Sequence, residues 1–166
     1  APTKFDRYVE AILSNKKPAP KDQLSIEEIA GLKVFISDNQ GQCIRCHNGP
    51  MFTDNHFHNI GSHIVGEDAA EQGRATGIHL ALSDKTNCRS EFNDDVKLDQ
   101  KAACTELQFA RQNSTELVGA FKTPTLRYLA QTAPYMHAGQ FGTLEDAIWQ
   151  YRDVPHATVG RSELRD

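Results

Sequence analysis

Apolar residues at the head of the chain recur three or four positions apart: Phe5, Tyr8, Val9 and Ile12. That repeat predicts an amphipathic helix over residues 5–14. Lys16-Lys17-Pro18-Ala19-Pro20-Lys21 ends it as a linker, because two prolines remove backbone donors and push their predecessors out of helical geometry. A second helix is signalled by Ser25-Ile26-Glu27-Glu28, where the hydroxyl and the carboxylate three residues on satisfy each other's exposed amides. Ile29, Leu32, Phe35 and Ile36 form its apolar stripe, and polar residues and glycine take over between Ser37 and Gly41. This core helix leads the chain into Cys43-Ile44-Arg45-Cys46-His47.

From about residue 52 to 101 no period is sustained. Gly61, Gly66, Gly73 and Gly77 recur among Asp, Asn, Ser and Thr, which predicts mainly loop with short helical turns. A last helix runs from Thr143 to about Arg152, with Thr143 as its cap and Asp146 at the third helical position. Leu144, Ala147, Ile148 and Tyr151 share one face, which directs Tyr151 inward. The chain contains no internal repeat and no low-complexity tract.

At 166 residues, 39% hydrophobic and 24% charged, the composition is that of one folded domain, residues 1–166, large enough to bury a core. No apolar run approaches the roughly 20 residues of a membrane-spanning helix. Eighteen Lys and Arg against 22 Asp and Glu give a charge of −4. No basic cluster follows a phosphate backbone, so nucleic acid is not an expected partner.

The four cysteines carry the chemistry. In Cys-x-x-Cys-His, two thiols one helical turn apart can each add across a haem vinyl group, while the next imidazole reaches the iron from the same side. Cys43 and Cys46 are therefore candidate anchors of one covalent haem c and His47 its axial ligand. A structural zinc site would need two more ligands at short spacing, and Cys88, Cys104, His56, His58 and His63 do not provide such a pair. A thioredoxin-like dithiol would follow a strand, but Ser37-Asp38-Asn39-Gln40-Gly41-Gln42 precedes Cys43. Haem c is attached in an oxidising, extracytoplasmic compartment, where Cys88 and Cys104 are expected to pair as a disulfide, two buried free thiols being the alternative. Closing that loop would contribute about 3 kcal/mol.

Several separated motifs then point the same way. They are Cys43-Ile44-Arg45-Cys46-His47-Asn48-Gly49-Pro50-Met51-Phe52-Thr53-Asp54-Asn55, His58-Asn59-Ile60-Gly61, Phe121-Lys122-Thr123-Pro124-Thr125-Leu126-Arg127, Ala133-Pro134-Tyr135-Met136-His137 and Thr143-Leu144-Glu145-Asp146. In this order, over nearly the whole chain, they resemble the C-terminal haem domain of bacterial di-haem cytochrome c peroxidases, MauG-like members included. The resemblance implies an all-α cytochrome c-type haem domain with long loop insertions, here an insert over about residues 62–112. It implies a periplasmic setting, with any export signal removed or outside a sequence that begins at Ala1. This chain would be the electron-transfer half, with the hydrogen peroxide-reacting haem on a second haem domain or subunit and a small redox protein as donor. The alternative is a stand-alone mono-haem electron carrier without peroxidase activity.

The resemblance also bears on individual residues. The family's sixth iron ligand lies about fourteen residues past the His of the Pro-Tyr-x-His motif, and counting from His137 lands on Tyr151. Classical peroxidases carry Met there and MauG-like proteins Tyr. Met136 is the other candidate. A thioether favours Fe(II), whereas a phenolate is hard and anionic and favours Fe(III), so the choice sets the redox potential. Arg127 is expected to pair with a haem propionate, with a solvated surface charge as the alternative. His58 could donate to a propionate or be an ordinary polar loop histidine. By resemblance, backbone oxygens of Thr132 and Pro134 would contribute to a calcium site. Trp149 could relay electrons or be a buried or interface residue. His56, His63, His79 and His156 receive no role.

Overall fold

A computed structural model describes residues 2–61, 72–90, 92, 104, 107, 110–152 and 160–164. Among these the chain forms four α-helices: α1 (Lys4–Leu13), α2 (Ile26–Ile36), α3 (Arg74–Ser83) and α4 (Leu144–Arg152). The two-residue strands β1 (Phe57–His58) and β2 (Phe121–Lys122) pair antiparallel, Phe57 opposite Lys122 and His58 opposite Phe121. The predicted all-α class therefore holds, with irregular chain between the helices. No described helix is long and apolar enough to cross a membrane. The chain divides into two compact units, Ala1–Asn48 and Gly49–Asp166.

In the first unit both helices open on side chains close by in sequence. Thr3 Oγ1 accepts the Asp6 N–H at 3.3 Å, and the Asp6 carboxylate accepts the Thr3 N–H at 2.7 Å. The predicted box at α2 is present: Ser25 Oγ accepts the Glu28 N–H at 3.1 Å and Glu28 Oε2 accepts the Ser25 N–H at 2.7 Å. Arg7 reaches from α1 to Asp22 in the proline linker, Nε to Oδ1 at 2.7 Å, and Asp22 is 4% exposed. A carboxylate so buried needs that partner. At the end of α2 the Ser37 and Gly41 amides both donate to the Val34 carbonyl. A Cβ at position 41 would lie 2.6 Å from that oxygen, so only glycine lets the chain fold back onto the helix end here.

In the second unit the chain is fastened by bonds between distant residues. Thr53 Oγ1 donates to the Thr123 carbonyl at 2.7 Å, and the Thr123 amide donates to His56 O at 2.9 Å. The buried Asn59 side chain donates to Val118 O at 3.0 Å and accepts the Gly61 amide at 3.0 Å. Ile78, Cys104, Ala120 and Ala147 form the buried apolar core among the described residues. Cys88 and Cys104 are joined as a disulfide, Cα to Cα 5.8 Å.

Two expectations need correction. The stretch read as loop contains the ten-residue α3, whose Ile78 is buried. Its start is held from a distance, by the Arg74 amide donating to Ala120 O at 2.8 Å, and its glycines at 73 and 77 argued locally against a helix. Much of the rest of the 62–112 insert lies outside the described residues. Thr143 does cap α4, its Oγ1 accepting the Asp146 amide at 3.1 Å. The apolar face of that helix is not turned inward as a whole, however. Ala147 is buried, while Ile148 is 67% and Tyr151 43% exposed.

Candidate cofactor site

The Cys-x-x-Cys-His motif folds as one tight turn. Gln42 takes a left-handed conformation, φ 54°, and redirects the chain from the end of α2 into a 3-10 turn over Cys43–Arg45. The Cys46 amide donates to Cys43 O, and so does the His47 amide at 2.8 Å. One carbonyl thus closes the turn twice and gathers two thiols and an imidazole. Neither Cys43 nor Cys46 is in a disulfide. Both are half-buried. Burial pushes the Cys43 thiol up, a backbone hydrogen bond working against it, so the group is kept as S–H.

This donor set fits a thioether-linked haem: two thiols outside any disulfide with an imidazole next in the chain, all on one turn. The apolar surface beside it in the same unit fits as well, since Val34, Ile36 and Ile44 are exposed. The preceding element is a helix and a turn with no strand, unlike a thioredoxin-type dithiol.

The remaining candidates lie in the second unit. Arg127 ends the Phe121–Arg127 motif with its Nε 2.8 Å from Pro50 O and its Nη2 on the same oxygen, and its guanidinium lies 5.0 Å over the Phe52 ring. It is half-buried and engaged, not a solvated surface charge. Met136 is half-buried in a left-handed conformation, φ 69°, in the turn that Tyr135 and Phe141 close through backbone bonds. Thr132 donates its hydroxyl to Leu129 O, and Pro134 follows two residues on in the same turn region. Tyr151 lies on α4 near Trp149, which is 56% exposed beneath the Arg152 guanidinium, so the buried alternative for Trp149 does not hold.

His58 is the residue whose setting the sequence least revealed. Its Nδ1 lies 2.6 Å from Glu163 Oε2 and its Nε2 2.9 Å from Asp54 Oδ2. It is a polar histidine held by two carboxylates. The Asp54 and His58 spacing of four was a weak local signal, whereas Glu163, 105 residues away, left none.

No protein-family model matches the sequence. Among curated proteins the chain is 29% identical over 150 residues to the cytochrome-c peroxidase IdrP2 of Denitromonas iodatirespirans, covering 85% of this chain and 37% of that protein. It is 32% identical over 148 residues to the methylamine utilization protein MauG of Methylorubrum extorquens, covering 87% of this chain and 32% of MauG. Among solved structures it resembles a MauG-like protein associated with microbial copper homeostasis, with a TM-score of 0.55 and 23% identity over 99% of this chain and 44% of that one. The chain spans about a third of the length of the curated relatives it matches. By sequence and fold, it is a relative of the di-haem cytochrome c peroxidases and MauG proteins.

Proposed function

We propose that this chain is the C-terminal haem domain of a di-haem cytochrome c peroxidase or MauG-like protein, carrying electrons for peroxide reduction or for a MauG-like oxidation. Residues 1–166 form a single cytochrome c-like domain in this reading. The observation that carries it is the Cys43–His47 turn, which gathers two thiols outside any disulfide and an imidazole, while the other two cysteines are bonded to each other. Cys43 and Cys46 would hold one haem c through thioether bonds, each S–H adding across a vinyl group, and His47 would be the axial iron ligand. When bound, the haem supplies a one-electron redox centre inside an apolar setting.

The protein's own groups would tune that centre. Tyr151 is the proposed sixth ligand and Met136 the alternative; a phenolate would hold the iron oxidised, a thioether would favour the reduced form. Arg127 is assigned to a propionate by the motif it ends, and its bonds to Pro50 give it a second task in anchoring the chain. The Thr132 and Pro134 carbonyls would offer hard oxygen ligands to calcium. The natural partners would be a second haem domain or subunit, hydrogen peroxide and a small donor protein, in the periplasm. Support for the peroxide comes from the relatives named as peroxidases.

A second reading, equally compatible with the one Cys-x-x-Cys-His motif in this sequence, is a mono-haem electron carrier. The test has two stages. The intact mass of the purified holoprotein is expected to exceed the polypeptide by one haem that acidified butanone does not extract, and extractable pigment would overturn the assignment. Steady-state peroxide reduction is then measured with and without a second haem domain. Turnover only with it supports the peroxidase reading; reversible redox chemistry without turnover in either form supports the carrier.

A further inference from the structure

The second unit contains a titratable cluster that the haem reading does not use. His58 stands in β1 with an acceptor on each ring nitrogen: Glu163 Oε2 at Nδ1 and Asp54 Oδ2 at Nε2. A neutral imidazole carries one N–H and can satisfy only one of two carboxylates, whereas an imidazolium donates to both. Glu163 is also tied by backbone. Its N–H donates to Asn59 O at 2.8 Å, and its Oε1 accepts the Asn59 N–H at 3.3 Å. Residues 160–164 are thereby tied to the chain that continues from β1, and Ser162 among them is buried.

We propose that Asp54, His58 and Glu163 form a pH-dependent clasp that fastens residues 160–164 to residues 58–59, closed while the imidazole is protonated and loosened once it is neutral. The claim is independent of whether Cys43 and Cys46 carry haem. Within this unit, Asp54 and Glu163 are the charged groups set against the ring among the described residues. Phe121, opposite His58 in the sheet and on the same face of it, is apolar and packs against the ring of His137, a further titratable group, with ring centroids 4.0 Å apart. The Asp54 and His58 side chains are 13% and 21% exposed, so water competes weakly for that pair; Glu163, at 50%, is the looser jaw.

The direction of the response follows from the charges. Burial works against the protonated form of His58, but the hydrogen bonds to Glu163 and Asp54 outweigh it and hold its pKa above the ordinary histidine value. Burial likewise works against the Asp54 carboxylate, and bonds from the His56 amide and His58 outweigh it, holding its pKa below the usual range. A raised histidine pKa adds stability that is complete below the unfolded value and is lost as pH rises through the folded one. A depressed aspartate pKa adds stability that is lost only as pH falls through that lower value. The clasp is therefore closed across the interval between the two and opens on the alkaline side of the histidine titration.

The test is amide hydrogen exchange of the peptide containing residues 160–164 in the full holoprotein, corrected for intrinsic rates and referenced to α1, while the His58 ring titration is followed by NMR. Protection should fall about tenfold as His58 loses its proton, the scale of one charge-assisted hydrogen bond. The H58Q variant should show the alkaline level at every pH. E163Q, altered at a half-exposed side chain and so the second variant should H58Q fail to fold, should lose most of the pH dependence. Protection that is equal on both sides of the native His58 titration overturns the clasp, and so does native protection in E163Q on the acid side of that titration.

Discussion

In residues 1–48 each helix starts on a hydroxyl and a carboxylate three positions apart, Thr3 with Asp6 and Ser25 with Glu28. In residues 49–166 the fastening bonds join Thr53 to Thr123, Asn59 to Val118, Arg74 to Ala120 and His58 to Glu163. The helix starts and the proposed cofactor turn of the first unit are encoded locally. The second depends on chain segments finding one another, and loop-closure entropy opposes each such contact. Damage to a single contact should therefore cost more in the second unit than in the first.

The largest difference is expected at Gly73. Its φ of 55° and ψ of −128° belong to glycine, and a Cβ there would lie 2.3 Å from Ala120 O, the same carbonyl that anchors the first amide of α3. Gly73→Ala should lower unfolding stability by about 3 kcal/mol, from strain and forced displacement together. Chemical denaturation followed by circular dichroism reads this directly. A loss below about 1 kcal/mol would mean that α3 does not depend on the distant carbonyl, and the contrast between the units would weaken.

A middling effect is expected at Asn59. It is 3% exposed, with its amide donating to Val118 O and its carbonyl accepting from Gly61. Asn59→Ala would strand both partners in the interior, at a cost of about 2 kcal/mol by the same denaturation assay. Asn59→Asp is expected to be no milder, because it sets an oxygen against the Val118 carbonyl. A neutral outcome for the alanine variant would show that water reaches those groups.

What the sequence disclosed follows the same division. The Ser25 box, the Thr143 cap, the helix spans at 4–13 and 144–152 and the Cys43–His47 turn are all written in neighbouring residues, where period and spacing are read directly. The Thr3–Asp6 box has the same form but a weaker sequence signature, with Asp in place of Glu or Gln at its far end. Helix α3 is not legible locally because Gly73 and Gly77 lower helix propensity while its anchor, Ala120, is far along the chain. For α4 the period marked a face correctly but could not tell that only Ala147 on it would be buried. The carboxylates around His58 were legible as to Asp54 at best, since nothing links Glu163 to it until the chain has folded.

The smallest effect belongs to the first unit and probes the contrast from its other side. Ser25→Ala removes the acceptor for the Glu28 amide at the start of α2 and should cost about 1 kcal/mol. Ser25→Asp restores an acceptor at the same place, with its charge toward the positive end of the helix, and should recover most of that loss. Because α2 runs directly into the turn bearing Cys43 and Cys46, the two variants also ask whether a frayed helix start is felt at its far end. Thiol accessibility of the haem-free chain toward an alkylating reagent answers this. If the frame is local at each end, both variants should alkylate at the native rate despite the difference in stability. Faster alkylation in Ser25→Ala alone would mean that α2 transmits the damage along its length, and the first unit would then be as cooperative as the second.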